Sequence, residues 1–205
     1  TMRTLDEIEP RIPINATNTP GDADSTFKIT APGSYYLTDN VTGEPAKHGI
    51  EIAADNVSIN LMGFQVLGVP GSLDGIRASV FPTFSGPAIR NGSIEAWGGD
   101  GIDLSLTYRG HITDVRTANN DRGFLLGEGA VVTRCLAIQN TNGVFLDFAC
   151  VLTDCVATLS PTHGFVVPAR RVLSTCPATA SPHTGPTCTA CSLPPHPVSP
   201  APRAP

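Results

Sequence analysis

Helical periodicity is missing from this chain. No segment sets apolar residues three and four apart, and Ala, Leu, Glu and Lys cluster nowhere, which excludes a helical bundle and a leucine-rich horseshoe. No run of eighteen apolar residues occurs, which excludes a helical membrane span. GxSxG, HExxH and P-loop motifs are absent, so the chemistries that announce themselves through those spacings are not encoded in that form. Basic charge is scarce as well. Thirteen Lys and Arg stand against 18 Asp and Glu for a net of −5, an excess of acid that repels nucleic acid and anionic membrane surfaces. With 40% apolar residues the chain is nonetheless rich enough in core-forming side chains to fold as one domain. No charged-then-apolar segment of signal type opens it. The Thr1-Met2 start reads as a trimmed or recombinant end, where such a segment could have been removed.

What the chain has is repetition. Gly101-Ile-Asp-Leu, Gly123-Phe-Leu-Leu, Gly143-Val-Phe-Leu and Gly164-Phe-Val-Val recur at spacings of 22, 20 and 21. Between them Ile112-Thr113-Asp114-Val115, Val132-Thr133-Arg134-Cys135 and Leu152-Thr153-Asp154-Cys155 align at steps of twenty. Units this small cannot bury an apolar face alone, so they must stack into a continuous core. The expected fold is all-β, a parallel β-solenoid of about six coils and roughly 30 Å at one strand spacing per coil. Strand alternation sends Ile102, Phe124, Val144 and Phe165 inward as one ladder, with Leu104, Leu126, Leu146 and Val167 as a second. Val115, Cys135 and Cys155 form a third ladder, and Thr117, Ala137 and Ala157 a fourth. Cys135 and Cys155 read as small core hydrophobes, with a disulfide between them the lesser alternative.

Ile50-Glu51-Ile52-Ala53-Ala54-Asp55-Asn56-Val57-Ser58-Ile59-Asn60-Leu61-Met62-Gly63-Phe64 resembles the entry coils of pectate-lyase-like right-handed parallel β-helices, as do Arg90-Asn91-Gly92-Ser93-Ile94 and the later Asn-Gly corners. The resemblance spans roughly residues 33–167. It implies the fold; for function it implies only a range, from polysaccharide lyases, glycoside hydrolases and esterases to tailspikes and modules without activity. Secretion or display at the cell surface is part of what it implies.

Two flanks depart from the repeat. Residues 1–32 are expected to cap the first coil, with a helical turn over 4–9 capped by Thr4 and extended structure around Pro10, Pro13 and Pro20. Residues 168–205 hold ten of the 19 prolines and no Asp, Glu, Asn, Gln or Lys. Proline cannot donate to a ladder, so the coils are expected to stop there. That stretch reads either as a Pro-rich linker or arm, or as out-of-frame translation. Cys188-Thr-Ala-Cys191 with Cys176 offers one CxxC without a partner pair, and no metal site is assigned to it.

Candidate chemistry sits on the outer wall. Asp100, Arg122, Asn142 and His163 precede the four glycines, one per coil, and Trp97, Asn119, Gln139 and Ser160 run beside them. An indole that stacks on a pyranose, with amides, a guanidinium and an imidazole to bond hydroxyls, suits a polysaccharide. The competing reading makes the same residues solvated corners, where Asn tolerates the left-handed conformation. For catalysis Asp100, Asp103 and Asp121 are the candidate acid and base, or the ligands of a calcium ion, with Arg122 or His111 as proton acceptor, a role that the resemblance to pectate lyases implies. Asp22-Ala-Asp24 reads as an ordinary acidic turn. Asp114, Arg134 and Asp154 form an outward ladder of alternating sign and are read as structural. Leu125, Phe145 and Val166, with Leu136 and Val156 on another sheet, face outward as apolar stripes and predict a homo-oligomer, a trimer, or a covering arm. Two functions stay open: a secreted protein that binds a polysaccharide and cleaves it as a lyase or hydrolase, and a non-catalytic structural, glycan-binding or oligomerisation module, a fragment of something larger.

Overall fold

The computed structural model describes residues 11–79 and 83–166 together with the backbone of Leu173–Ser174. Among these residues there is no helix, and the chain winds as a parallel β-solenoid of about seven turns. The first face is a seven-stranded parallel sheet: Ser25–Ile29, His48–Ile52, Ile76–Ala78, Ile102–Leu104, Arg122–Leu126, Asn142–Leu146 and His163–Val166. A twelve-stranded sheet supplies the other two. The second face stacks Ile12–Pro13, Gly33–Tyr36, Val57–Asn60, the start of Ala88–Glu95, the start of His111–Ala118, Val131–Thr133, Val151–Thr153 and Leu173–Ser174. The third stacks Val41–Thr42, Gln65–Leu67, the ends of the two long strands, Leu136–Ile138 and Val156–Thr158.

Three corner lines join the faces, and each is a stack of residues at positive φ. Asn56, Gly86, Arg109, Gly129 and Ala149 turn the first face into the second. Met62, Asn91, Asp114, Arg134 and Asp154 turn the second into the third. Ala96, Asn119, Gln139 and Leu159 return it to the first. A left-handed residue bends the strand while its N–H continues the ladder to the next coil, as from Asn119 to the carbonyl of Ile138 and from Gln139 to that of Thr158.

The four inward ladders are where the repeat puts them. Ile102, Phe124, Val144 and Phe165 pair in register and are 6% exposed or less, and Leu104, Leu126 and Leu146 likewise. Val115, Cys135 and Cys155, and Thr117, Ala137 and Ala157, are buried on the far side, with no disulfide between Cys135 and Cys155. Val167 lies outside the described residues, as do the helical turn over 4–9 and Cys176, Cys188 and Cys191.

Two boundaries differ from expectation. The winding starts before residue 33, because Ser-Thr-Phe-Lys-Ile at 25–29 alternates properly and pairs with His48–Ile52, placing Ile29 fully inside. Pro13 is tolerated because its strand is the edge of the sheet. At the other end the ladder does not stop at Val167. Leu173–Ser174, a proline-free pair, lies parallel to Val151–Leu152.

Candidate functional site

The first face is written by one local unit, a polar residue followed by Gly, apolar, any, apolar. It occurs six times: at His48-Gly49, Asp74-Gly75, Asp100-Gly101, Arg122-Gly123, Asn142-Gly143 and His163-Gly164. The glycine is required by close approach rather than by φ. A Cβ at Gly123 would lie 2.6 Å from the carbonyl oxygen of Gly143 in the coil below. Because the strands are in register, the polar residue of each unit stands above that of the next, giving the column Ser25, His48, Asp74, Asp100, Arg122, Asn142, His163. The outward residue at the centre of each strand gives a second column: Lys28, Glu51, Arg77, Asp103, Leu125, Phe145, Val166. Its first four members alternate in charge, the favourable arrangement across neighbouring strands; its last three are apolar and half-buried.

The charged halves of these columns knit together. Glu51, 6% exposed, accepts from Ser25 Oγ at 2.7 Å and from Ser79 Oγ, with Lys28 Nζ at 3.2 Å. Burial pushes its carboxyl up, but the two hydroxyls and the ammonium outweigh burial and hold it below the ordinary value. His48 Nε2 lies 2.6 Å from Arg77 Nη1, and its Nδ1 lies 3.1 Å from both the backbone nitrogen and Oδ2 of Asp74. Asp74 Oδ1 accepts the Asp100 N–H at 2.8 Å. For Asp74 the burial cost is again overcome, by His48 and that N–H, and its carboxyl is lowered. Asp100, 3% exposed, is the opposite case. Desolvation raises it to about 6 against the pull of Arg122, whose Nε lies 2.7 Å from Oδ1, and repulsion from Asp74 and Asp103 adds to the rise. Two carboxylates on adjacent coils therefore have their affinities for a proton driven apart. Arg122 is itself about a third exposed and lies over the Phe145 ring, its Cζ 5.9 Å from the centroid; His163 meets the same ring edge-on at 6.4 Å and approaches Asn142 Oδ1 at 3.2 Å.

Of the residues that the sequence nominated, the structure collects Asp100, Asp103, Arg122, Asn142 and His163 on this face, with exposed Asp121 next to Arg122. Asp103 Oδ1 is occupied locally by the N–H and hydroxyl of Ser105 at 3.0 and 2.7 Å. His111 is on the second face and shares nothing with Asp100. Asn119 and Gln139 are exposed at a left-handed corner, as the competing reading had it. Trp97 requires correction. It is 2% exposed, donates Nε1–H to the Val66 carbonyl at 3.0 Å, and fills space that a Cβ at Gly43 would invade at 2.4 Å from the ring. An indole so placed presents no face to a sugar. Ser160 is buried likewise. The cause is one residue of register: the inward column at that corner is Trp97, Asn120, Asn140, Ser160, while Asn119 and Gln139 stand outside it. Asn120 Oδ1 accepts the Trp97 N–H at 2.9 Å and Asn140 Oδ1 accepts the Asn120 N–H at 3.0 Å, so these buried amides are rungs that tie coil to coil.

Sequence reasoning missed Lys28, His48, Glu51, Asp74 and Arg77. The signal was present: His48-Gly49 to Asp74-Gly75 to Asp100-Gly101 repeats the unit at steps of 26 instead of 20 to 22. The chain matches no known family model, no curated protein and no solved structure.

Proposed function

We propose that the first face binds a polysaccharide lengthwise and cleaves it by acid–base chemistry, with Asp100 as the proton donor and Asp74 as its ionised companion. The observation that carries this reading is the divergence of the two carboxyls on adjacent coils: environments that push paired groups apart are what acid and base roles require. Arg122, about a third exposed and bonded to Asp100, is the group through which a substrate reaches the buried acid. Phe145, Asn142 and His163 continue the wall beyond it and supply a ring and hydrogen-bonding groups for further sugar units. A glycan array followed by reducing-end and unsaturated-product assays, with and without calcium, tests it. Product from at least one glycan, abolished in Asp100→Asn while Phe145→Ala weakens binding, is expected. Silence on every glycan would remove the proposal.

A second reading is favoured by one observation: in the two first-face columns every charged group from Lys28 to Arg122 is engaged by another residue of the chain. On that reading the network fastens the N-terminal coils together and the module is a non-catalytic scaffold.

A further inference from the structure

On the second face the outward side chains of three successive coils enclose a shallow concavity of about 370 Å³ lined by Ser58, Ala88, Ile89, Arg90, His111 and Thr113. Register explains its shape. Ser58, Ala88 and His111 stack in one outward column, and Arg90 stands above Thr113 in the next. Ala88 contributes only a methyl group between a hydroxyl and an imidazole, so the wall dips there. The rim carries a guanidinium, an imidazole and two hydroxyls, and no carboxylate lines it. Asp114, next in the chain after Thr113, turns away at the corner and is held by both Nε and Nη2 of Arg134 at 2.7 Å. Among the described residues the side chains of Ser58, Arg90, His111 and Thr113 make no hydrogen bond or ion pair, although Arg90 alone offers five donors. Four polar groups lining one concavity, rich in donors, with a permanent cation and no partner among the described residues, describe a receptor for an anion.

We propose that this concavity binds a tetrahedral oxyanion, a phosphate or a sulfate, free or as a monoester. The guanidinium fork takes two oxygens side by side, the geometry that distinguishes Arg from Lys at such ligands, while the hydroxyls of Ser58 and Thr113 and the His111 ring complete the shell from the neighbouring coils. The site is independent of the first face. Titration calorimetry of the full chain with inorganic phosphate, inorganic sulfate, methyl phosphate and methyl sulfate tests it, with the His111 ring resonances as a second readout. Saturable binding of at least one probe is expected, weakened at least tenfold in Arg90→Gln and several-fold in His111→Gln, and unchanged in Arg116→Gln on the third face. The tightest probe identifies phosphate or sulfate, and the ester or the free ion. No saturation with any of the four, or binding that Arg90→Gln leaves intact, would overturn the proposal.

Discussion

The first and second faces are built from the same coils, yet they treat polar side chains in opposite ways. On the first, buried Glu51, His48 and Asp100 each face a partner from an adjacent coil, and the charges serve one another. On the second, Arg90 and His111 are exposed around a concavity and have no side-chain partner among the described residues. The difference follows from what stands one rung away. In parallel stacking each side chain meets its counterpart on the neighbouring coil. The first face places Glu beside Lys and Arg, and Asp beside His and Arg; the second places Ala between Ser and His. Partnered charges hold coils together and unpartnered ones are available to a ligand.

Breaking the partnership at Glu51 has the largest expected effect. Glu51→Ala takes from the buried Ser79 hydroxyl its acceptor and leaves Ser25 and Lys28 with Asp22 alone, and is expected to cost about 3 kcal/mol, read as a lower urea midpoint at unchanged slope. A loss under about 1 kcal/mol would mean that the network contributes little to holding the coils.

Asp100 sharpens the comparison through pH. Its folded-state carboxyl is raised to about 6, so its contribution is most favourable below the unfolded value near 3.9 and is lost as pH climbs through 6. Asp100→Asn is therefore expected to gain about 2 kcal/mol on the wild type between pH 4 and pH 7. Parallel pH profiles for the two would show that Asp100 titrates as an ordinary aspartate. The smallest expected effect is on the second face: Arg90→Gln should change stability by less than about 0.5 kcal/mol while abolishing oxyanion binding.

How much of this the amino acids disclose depends on the local period. Along straight strands the period is two, and the inward ladders of Phe124, Leu126 and Cys135 could be read directly, as could the outward placing of Leu125 and Phe145. At the corners a left-handed residue resets the alternation. That is why Trp97 and Ser160 read as outward, and why Asn120 and Asn140, the amides that bond between coils, were passed over for Asn119 and Gln139. Upstream the coils lengthen to 26 residues, so the same Gly unit falls outside the period near twenty that the later coils display, and His48, Glu51, Asp74 and Arg77 fall outside it too. Pairing between columns is a property of neighbouring coils, and it becomes visible only when the register is known.

Equilibrium urea denaturation of Glu51→Gln and Arg90→Gln, each with and without phosphate, puts the contrast between partnered and free charge to its most direct test. The account predicts a large fall in midpoint for Glu51→Gln with phosphate stabilisation retained, and for Arg90→Gln an unchanged midpoint that phosphate no longer raises. Equal midpoints for the two variants, with phosphate acting on both alike, would contradict it.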